Sequence, residues 1–207
     1  MPVVKAWSTE LGNEVTDMAI QVFGGMGFVE ETGIAQHKRD LRISTIYEGT
    51  TGIQANDLIG RKILREGGAT LRLLLEDMRT VANELAAAGE LAWLGADLIA
   101  DIRTLEETLD WILARGKSEF AEVLSGAVPF LLQLGTVCGS WQMGRAALAA
   151  QSGIAAGRGD AAYLQGIVDL ARFYFGHQAP QAAALSRVVM RGGVQVVAAT
   201  DAAFGGA

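Results

Sequence analysis

Two glycine-bearing segments of this 207-residue chain carry residue types that could do chemistry. In Tyr47-Glu48-Gly49-Thr50-Thr51-Gly52 a lone carboxylate follows the apolar Ile43, Ile46 and Tyr47 and precedes a Gly-Thr-Thr-Gly turn. A carboxylate among apolar and aromatic groups loses hydration, which raises its pKa and suits it to proton abstraction near neutral pH. The flanking hydroxyls and backbone N–H groups could hold a polar cofactor. A plainer reading competes: an exposed loop glutamate beside a helix whose N-cap is Thr50 or Thr51, where negative charge is favoured. On residue types alone the plainer reading is the stronger. The other segment, Gln21-Val22-Phe23-Gly24-Gly25-Met26-Gly27-Phe28, resembles a phosphate-cradling glycine loop only superficially. A dinucleotide-binding Gly-x-Gly-x-x-Gly follows a strand and opens a helix, whereas this one closes a helix. Taken alone, it reads as a helix C-cap with a tight turn.

The elements that must position these segments are helical. Trp7, Leu11, Val15, Met18 and Val22 step by 4, 4, 3 and 4 and share one helix face. A second helix is predicted from Thr51 to about Arg65, stopping at Gly67-Gly68. Leu71, Leu74, Leu75, Met78, Ala82 and Leu85 make a third stripe, and Leu94, Leu98, Ile102, Leu105, Leu109 and Ile112 a fourth, ending at Gly116. Ser118 is a candidate N-cap for a helix running to about Gln151, kinked or restarted at Pro129. Asp160 is a candidate cap for the next helix, and Pro180 opens the last. No stretch alternates with period two. The fold class is therefore all-α, built from antiparallel helical bundles. The texture changes at Gly67-Gly68, giving units of residues 1–66 and 67–207.

Composition excludes several classes. A net charge of -6 argues against a nucleic-acid surface. One cysteine and two distant histidines, His37 and His177, leave no disulfide framework and no expected metal site. No apolar run reaches the roughly 18 residues of a membrane helix, and the N-terminus lacks a secretory h-region, so a cytoplasmic location, of bacterial type, or an organelle matrix is expected. Glu106, Glu107 and Asp110 read as a solvated helix face, and His37-Lys38-Arg39 as a surface charge run.

The first segment block strongly resembles the C-terminal helical domain of the acyl-CoA dehydrogenase family. The resemblance rests on Gln21 to Phe28, on Arg39-Asp40-Leu41-Arg42-Ile43, and on Ile46-Tyr47-Glu48-Gly49-Thr50-Thr51-Gly52-Ile53-Gln54, in family order and spacing over about residues 3–66. Asn56 to Lys62 looks like a longer bacterial branch that includes enzymes similar to methylthiopropionyl-CoA dehydrogenase; residues 67–207 would be its helical extension.

The resemblance implies an FAD-dependent oxidation of an acyl-CoA thioester to the 2,3-enoyl-CoA. It makes Glu48 the base that removes the α-proton and places Gly49 against the substrate. Thr50, Thr51 and Gly52 match positions near the flavin dinucleotide. Gln21, Gly24 and Gly25 match a segment that touches the FAD of a neighbouring subunit. It further implies a homo-oligomer that passes electrons to an electron-transfer flavoprotein. The family's N-terminal helical and middle β domains have no counterpart here, so the chain alone is not expected to hold FAD or turn over. The alternative is a non-catalytic helical module that oligomerises or completes a partner subunit.

Overall fold

The computed structural model describes residues 1–205, whose regular elements are all helical, with no strand among them. Helix α1 (Pro2–Phe23) ends in a 3-10 turn at Gly24–Gly27, and another follows at Glu30–Thr32; α2 (Ile34–Arg42) and a third such turn (Ile43–Thr45) lead to α3 (Thr51–Asp57). Then follow α4 (Ala69–Ala86), α5 (Ala92–Arg115), the short α6 (Phe120–Ser125), α7 (Ala127–Ala155), α8 (Ala161–His177) and α9 (Gln181–Ala198).

The apolar stripes of α4 and α5 behave as their period demands. Leu71, Leu75, Met78, Ala82 and Leu85 are buried against Leu94, Leu98, Ile102, Leu105, Leu109 and Ile112, while Leu74 is half-buried. The short connection through Gly89–Leu91 makes the pair an antiparallel hairpin. The acidic face of α5 is tied to α4 by Arg72–Asp110 (2.5 Å) and Arg79–Glu106. These pairs are largely exposed, so each contributes no more than about 1 kcal/mol and mainly sets the register of the hairpin.

Helix α7 is the centre of the bundle. Its small residues form notches that admit bulky neighbours: a Cβ at Gly135 would collide with the Trp7 indole of α1, and one at Gly139 with the Tyr174 hydroxyl of α8. The Tyr174 hydroxyl donates to the Thr136 carbonyl at 3.0 Å, so its polar end is satisfied inside the bundle. One buried apolar cluster runs from Ala6, Ala55 and Ile59 through α4, α5 and α7 to Val189 of α9.

Three expectations change. The helix from Thr51 continues past Asp57 as a π-helix over Leu58–Leu64 rather than an α-helix to Arg65. The break before α7 falls at Gly126, where α9 comes so close that a Cβ would meet Val189 at 3.2 Å; Pro129 sits in the first turn of α7, where no intrahelical N–H is needed. Ser118 is not a cap, because the N-cap of α6 is Glu119 and makes no side-chain bond. Helix α2, which no stripe in the sequence announced, rests on α1 through half-buried Ile34, Ala35 and Leu41, with Leu41 against Gly12, and Lys38 ties it there through Asp17 (2.7 Å) and the Asn13 carbonyl (3.1 Å). Asp160 does cap α8, its Oδ1 accepting from the N–H groups of Ala162 and Tyr163.

The stripe on α1 is in phase yet largely uncovered. Val15 and Met18 are each 51% exposed and Val22 is 85% exposed. Phe23, Met26 and Phe28 at the end of α1, and Ile43, Ile46 and Tyr47 before α3, are likewise exposed. Exposed apolar side chains in this number mark surface available for interaction.

Candidate active site

The Glu48 turn is assembled by the ends of three helices. Ser44 and Thr45 are buried and bond back to the carbonyls of Leu41 and Arg42, which closes α2 and turns the chain. Glu48 then adopts φ +55°, the sole non-glycine residue with positive φ among those described. Gly49 follows at φ +93°. The left-handed region is sparsely populated by residues with a Cβ, so Glu48 stays there only because its surroundings hold it.

Those surroundings are specific. The Glu48 carbonyl accepts from Gln54 Nε2 at 2.8 Å, and the Gly49 carbonyl accepts from Lys5 Nζ at 2.7 Å. The Lys5 ammonium also lies 5.9 Å from the centre of the Tyr47 ring. Thr50 caps α3, its hydroxyl accepting from the Ile53 N–H at 3.4 Å. Thr51 donates its hydroxyl to Glu10 Oε1 of α1. Helices α1 and α3 therefore grip the turn from both sides.

The Glu48 side chain projects free of this grip. It is exposed and makes no hydrogen bond or ion pair among the described residues. The desolvation expected from Ile43, Ile46 and Tyr47 is thus not supplied by this chain, since those three are themselves about half exposed. They form an apolar rim, and a ligand or segment covering that rim would strip water from the carboxylate.

The glycine turn lies elsewhere. Gly24, at φ +61°, ends α1 by returning its N–H to the Gln21 carbonyl. Gln21, Gly24 and Gly25 are exposed, and open space surrounds the Cβ positions of both glycines, so another molecule's backbone or a cofactor can approach closely. Glu30 and Arg39 pair bidentately beside it at 2.8 and 2.7 Å, which holds the Glu30 carboxyl below its ordinary range.

The two groups of expected cofactor residues are not brought together. Thr51 meets α1 at Glu10, and the glycine turn begins at Gly24, fourteen residues further along the same helix. At about 1.5 Å per residue the separation is roughly 20 Å. Gln21, Gly24 and Gly25 thus face a different place from Thr50, Thr51 and Gly52. A groove of about 560 Å³ between α1, α2 and α7–α9 is lined by Trp7, Asn13, Lys38, Arg42 and Tyr174, and Glu48 is not in its walls.

Local spacing could not reveal Lys5 and Glu10, which lie 44 and 41 positions from their partners. Gln54 stands in the motif, but its link to Glu48 needs the fold.

Residues 1–64 match the family described as "Acyl-CoA dehydrogenase, C-terminal domain", and residues 74–200 that described as "Acetyl-CoA dehydrogenase C-terminal like". The chain is 46% identical over 166 residues to a 3-methylmercaptopropionyl-CoA dehydrogenase of Ruegeria pomeroyi, covering 80% of this chain and 28% of that protein. It is 30% identical to a broad-specificity linear acyl-CoA dehydrogenase, FadE5, of Mycobacterium tuberculosis, covering 84% of this chain and 30% of that one. A butyryl-CoA dehydrogenase of Syntrophomonas wolfei is 29% identical over a similar span. The chain covers less than a third of the length of these relatives. Motifs, helical architecture and both matched segments agree that the chain belongs to the acyl-CoA dehydrogenase family, whose C-terminal helical region it carries.

Proposed function

We propose that this chain supplies the proton-abstracting base and the C-terminal helices of an FAD-dependent acyl-CoA dehydrogenase, acting in the cytoplasm. The observation that carries the reading is Glu48: a free carboxylate on a tightly held left-handed turn, rimmed by Ile43, Ile46 and Tyr47. An acyl-CoA thioester is oxidised to its 2,3-enoyl-CoA when the α-proton is removed as the β-hydrogen departs as hydride. The chemistry that a bound flavin supplies is acceptance of that hydride.

The rest falls to the chain. A thioester α-proton is weakly acidic, so the base needs desolvation by the acyl group lying on the apolar rim, and the developing enolate oxygen needs fixed donors. Gly49, next to the base, presents backbone without a side chain to the substrate. Thr50, exposed, and Thr51 and Gly52, half-buried, stand at the start of α3, where the first-turn N–H groups suit a polar cofactor. Gln21, Gly24 and Gly25, some 20 Å away along α1, fit a second cofactor molecule held by a neighbouring subunit. That arrangement requires a homo-oligomer, with an electron-transfer flavoprotein as the electron acceptor. Residues 1–66 form the catalytic unit and residues 67–207 the extension. By analogy with the named relatives, linear and methylthio-substituted acyl-CoA thioesters are the substrates to assay.

The test is Glu48→Gln in the flavin-loaded enzyme containing this chain. Dye-coupled dehydrogenation of butyryl-CoA and 3-methylmercaptopropionyl-CoA should be abolished while flavin content is retained. Near-normal turnover would show that Glu48 is not the base.

The uncovered apolar surface of Val22, Phe23, Met26 and Phe28 favours one other reading, a non-catalytic module that oligomerises or completes a partner subunit. A flavin absorbance band in the purified chain, or flavin uptake on titration, would count against it.

A further inference from the structure

We infer that Lys5 and Gln54 are positioning residues that together aim the Glu48 carboxylate, a role that rests on Glu48 being the base. A base must meet its proton within a few tenths of an ångström and a narrow range of angles. Glu48 must do this from a left-handed backbone conformation that its own Cβ disfavours. Left to itself, the peptide on either side of Gly49 could flip, and the Cα–Cβ bond of Glu48 would swing with it.

Each of those peptides is held by one side chain. Gln54 Nε2 anchors the Glu48 carbonyl from α3, and Lys5 Nζ anchors the Gly49 carbonyl from α1. The Lys5 contact is charge-assisted and directed by the adjacent Tyr47 ring. The side chain of Lys5 is half-buried, which limits the arrangements open to it. Gln54 Nε2 lies close over Gly49, where a Cβ would come within 3.2 Å of it, so the absence of a side chain there leaves room for the Gln54 anchor. Neither residue need touch substrate or cofactor; they fix the base through two carbonyls on successive residues. A purely structural role would move stability alone, whereas a positioning role moves the chemical step.

The experiment compares Lys5→Met, Lys5→Arg and Gln54→Met with Glu48→Gln in the flavin-loaded enzyme. Lys5→Met and Gln54→Met should each lower kcat by about 10- to 100-fold. The KM for acyl-CoA and the flavin content should stay within about twofold. Lys5→Arg should recover at least half of the logarithmic loss, because a guanidinium can still reach a carbonyl. In this chain without flavin, NMR of the Lys5→Met variant should show the Glu48 amide-to-Hα coupling and Cα shift moving away from left-handed values, with helix content unchanged. If Lys5→Met and Gln54→Met keep kcat within twofold while Glu48→Gln is inactive, the positioning role is overturned and the base stands. If Glu48→Gln itself retains turnover, the base is wrong and the positioning role falls with it. If kcat and thermal midpoint fall together and Lys5→Arg recovers neither, the contact is structural only, which also overturns the inference.

Discussion

The indole of Trp7 on α1 seats in the notch left by Gly135 on α7, so the helix that grips the Glu48 turn is docked on the centre of the bundle. The contact joins residues 128 positions apart in the chain, and it makes the packing of α7 matter to the geometry of the site.

Gly135→Ala should therefore destabilise the chain by about 1–3 kcal/mol, because the added methyl overlaps the Trp7 ring and a close-packed interior relaxes little. Urea unfolding followed by Trp fluorescence measures it. A midpoint unchanged from wild type would show that α1 shifts freely on α7.

A second prediction concerns α5 and α9. Thr108 and Ser186, both buried, place their hydroxyl oxygens 2.8 Å apart. Thr108 donates its one proton to the Thr104 carbonyl at 2.8 Å, so Ser186 must be the donor of the pair. Thr108→Val should cost about 1–3 kcal/mol by stranding the Ser186 hydroxyl in an apolar setting. Adding Ser186→Ala should recover part of that loss, and a double-mutant cycle by chemical denaturation reads the coupling.

A third concerns pH. Burial lifts the Asp101 carboxyl from 3.8 to about 7, Asp97 on the same helix adds to the rise, and the Ser140 hydroxyl opposes it. One carboxyl oxygen of Asp101 is buried without a partner, which fits a neutral acid better than a carboxylate. The native state thus keeps a proton that the unfolded state releases above about pH 4. Stability contributed by this group is full below that pH, declines as pH rises, and is gone above about 7. The loss amounts to at most about 4 kcal/mol. Asp101→Asn should raise the urea midpoint at pH 8 and change it little at pH 4.5. An equal effect at both pH values would exclude the titration.

Much of the fold was legible because helix signals are local. The Leu71–Leu85 and Leu94–Ile112 stripes announce α4 and α5 through neighbours three and four residues apart, and Asp160 caps α8 by bonding N–H groups two and three residues on. Helix α2 was less legible because its apolar face is only Ile34, Ala35 and Leu41, and the rest of its hold on α1 comes from Lys38 reaching residues 21 and 25 positions away. The restart at Gly126 escaped it too: Pro129 is the louder local signal, but the close approach of α9 decides where the chain must bend.

The site divides in the same way. Residue types and order alone determined that Glu48 sits on a glycine-threonine turn opening a helix and that a glycine turn closes the helix before it. Only the tertiary structure decided that Glu48 is left-handed and exposed, that Lys5, Glu10 and Gln54 hold its turn, and that the two glycine segments lie about 20 Å apart along α1. The physical reason is range. Turns and caps are settled by backbone conformation within a few residues, whereas an ammonium meeting a carbonyl 44 positions away depends on how whole helices cross.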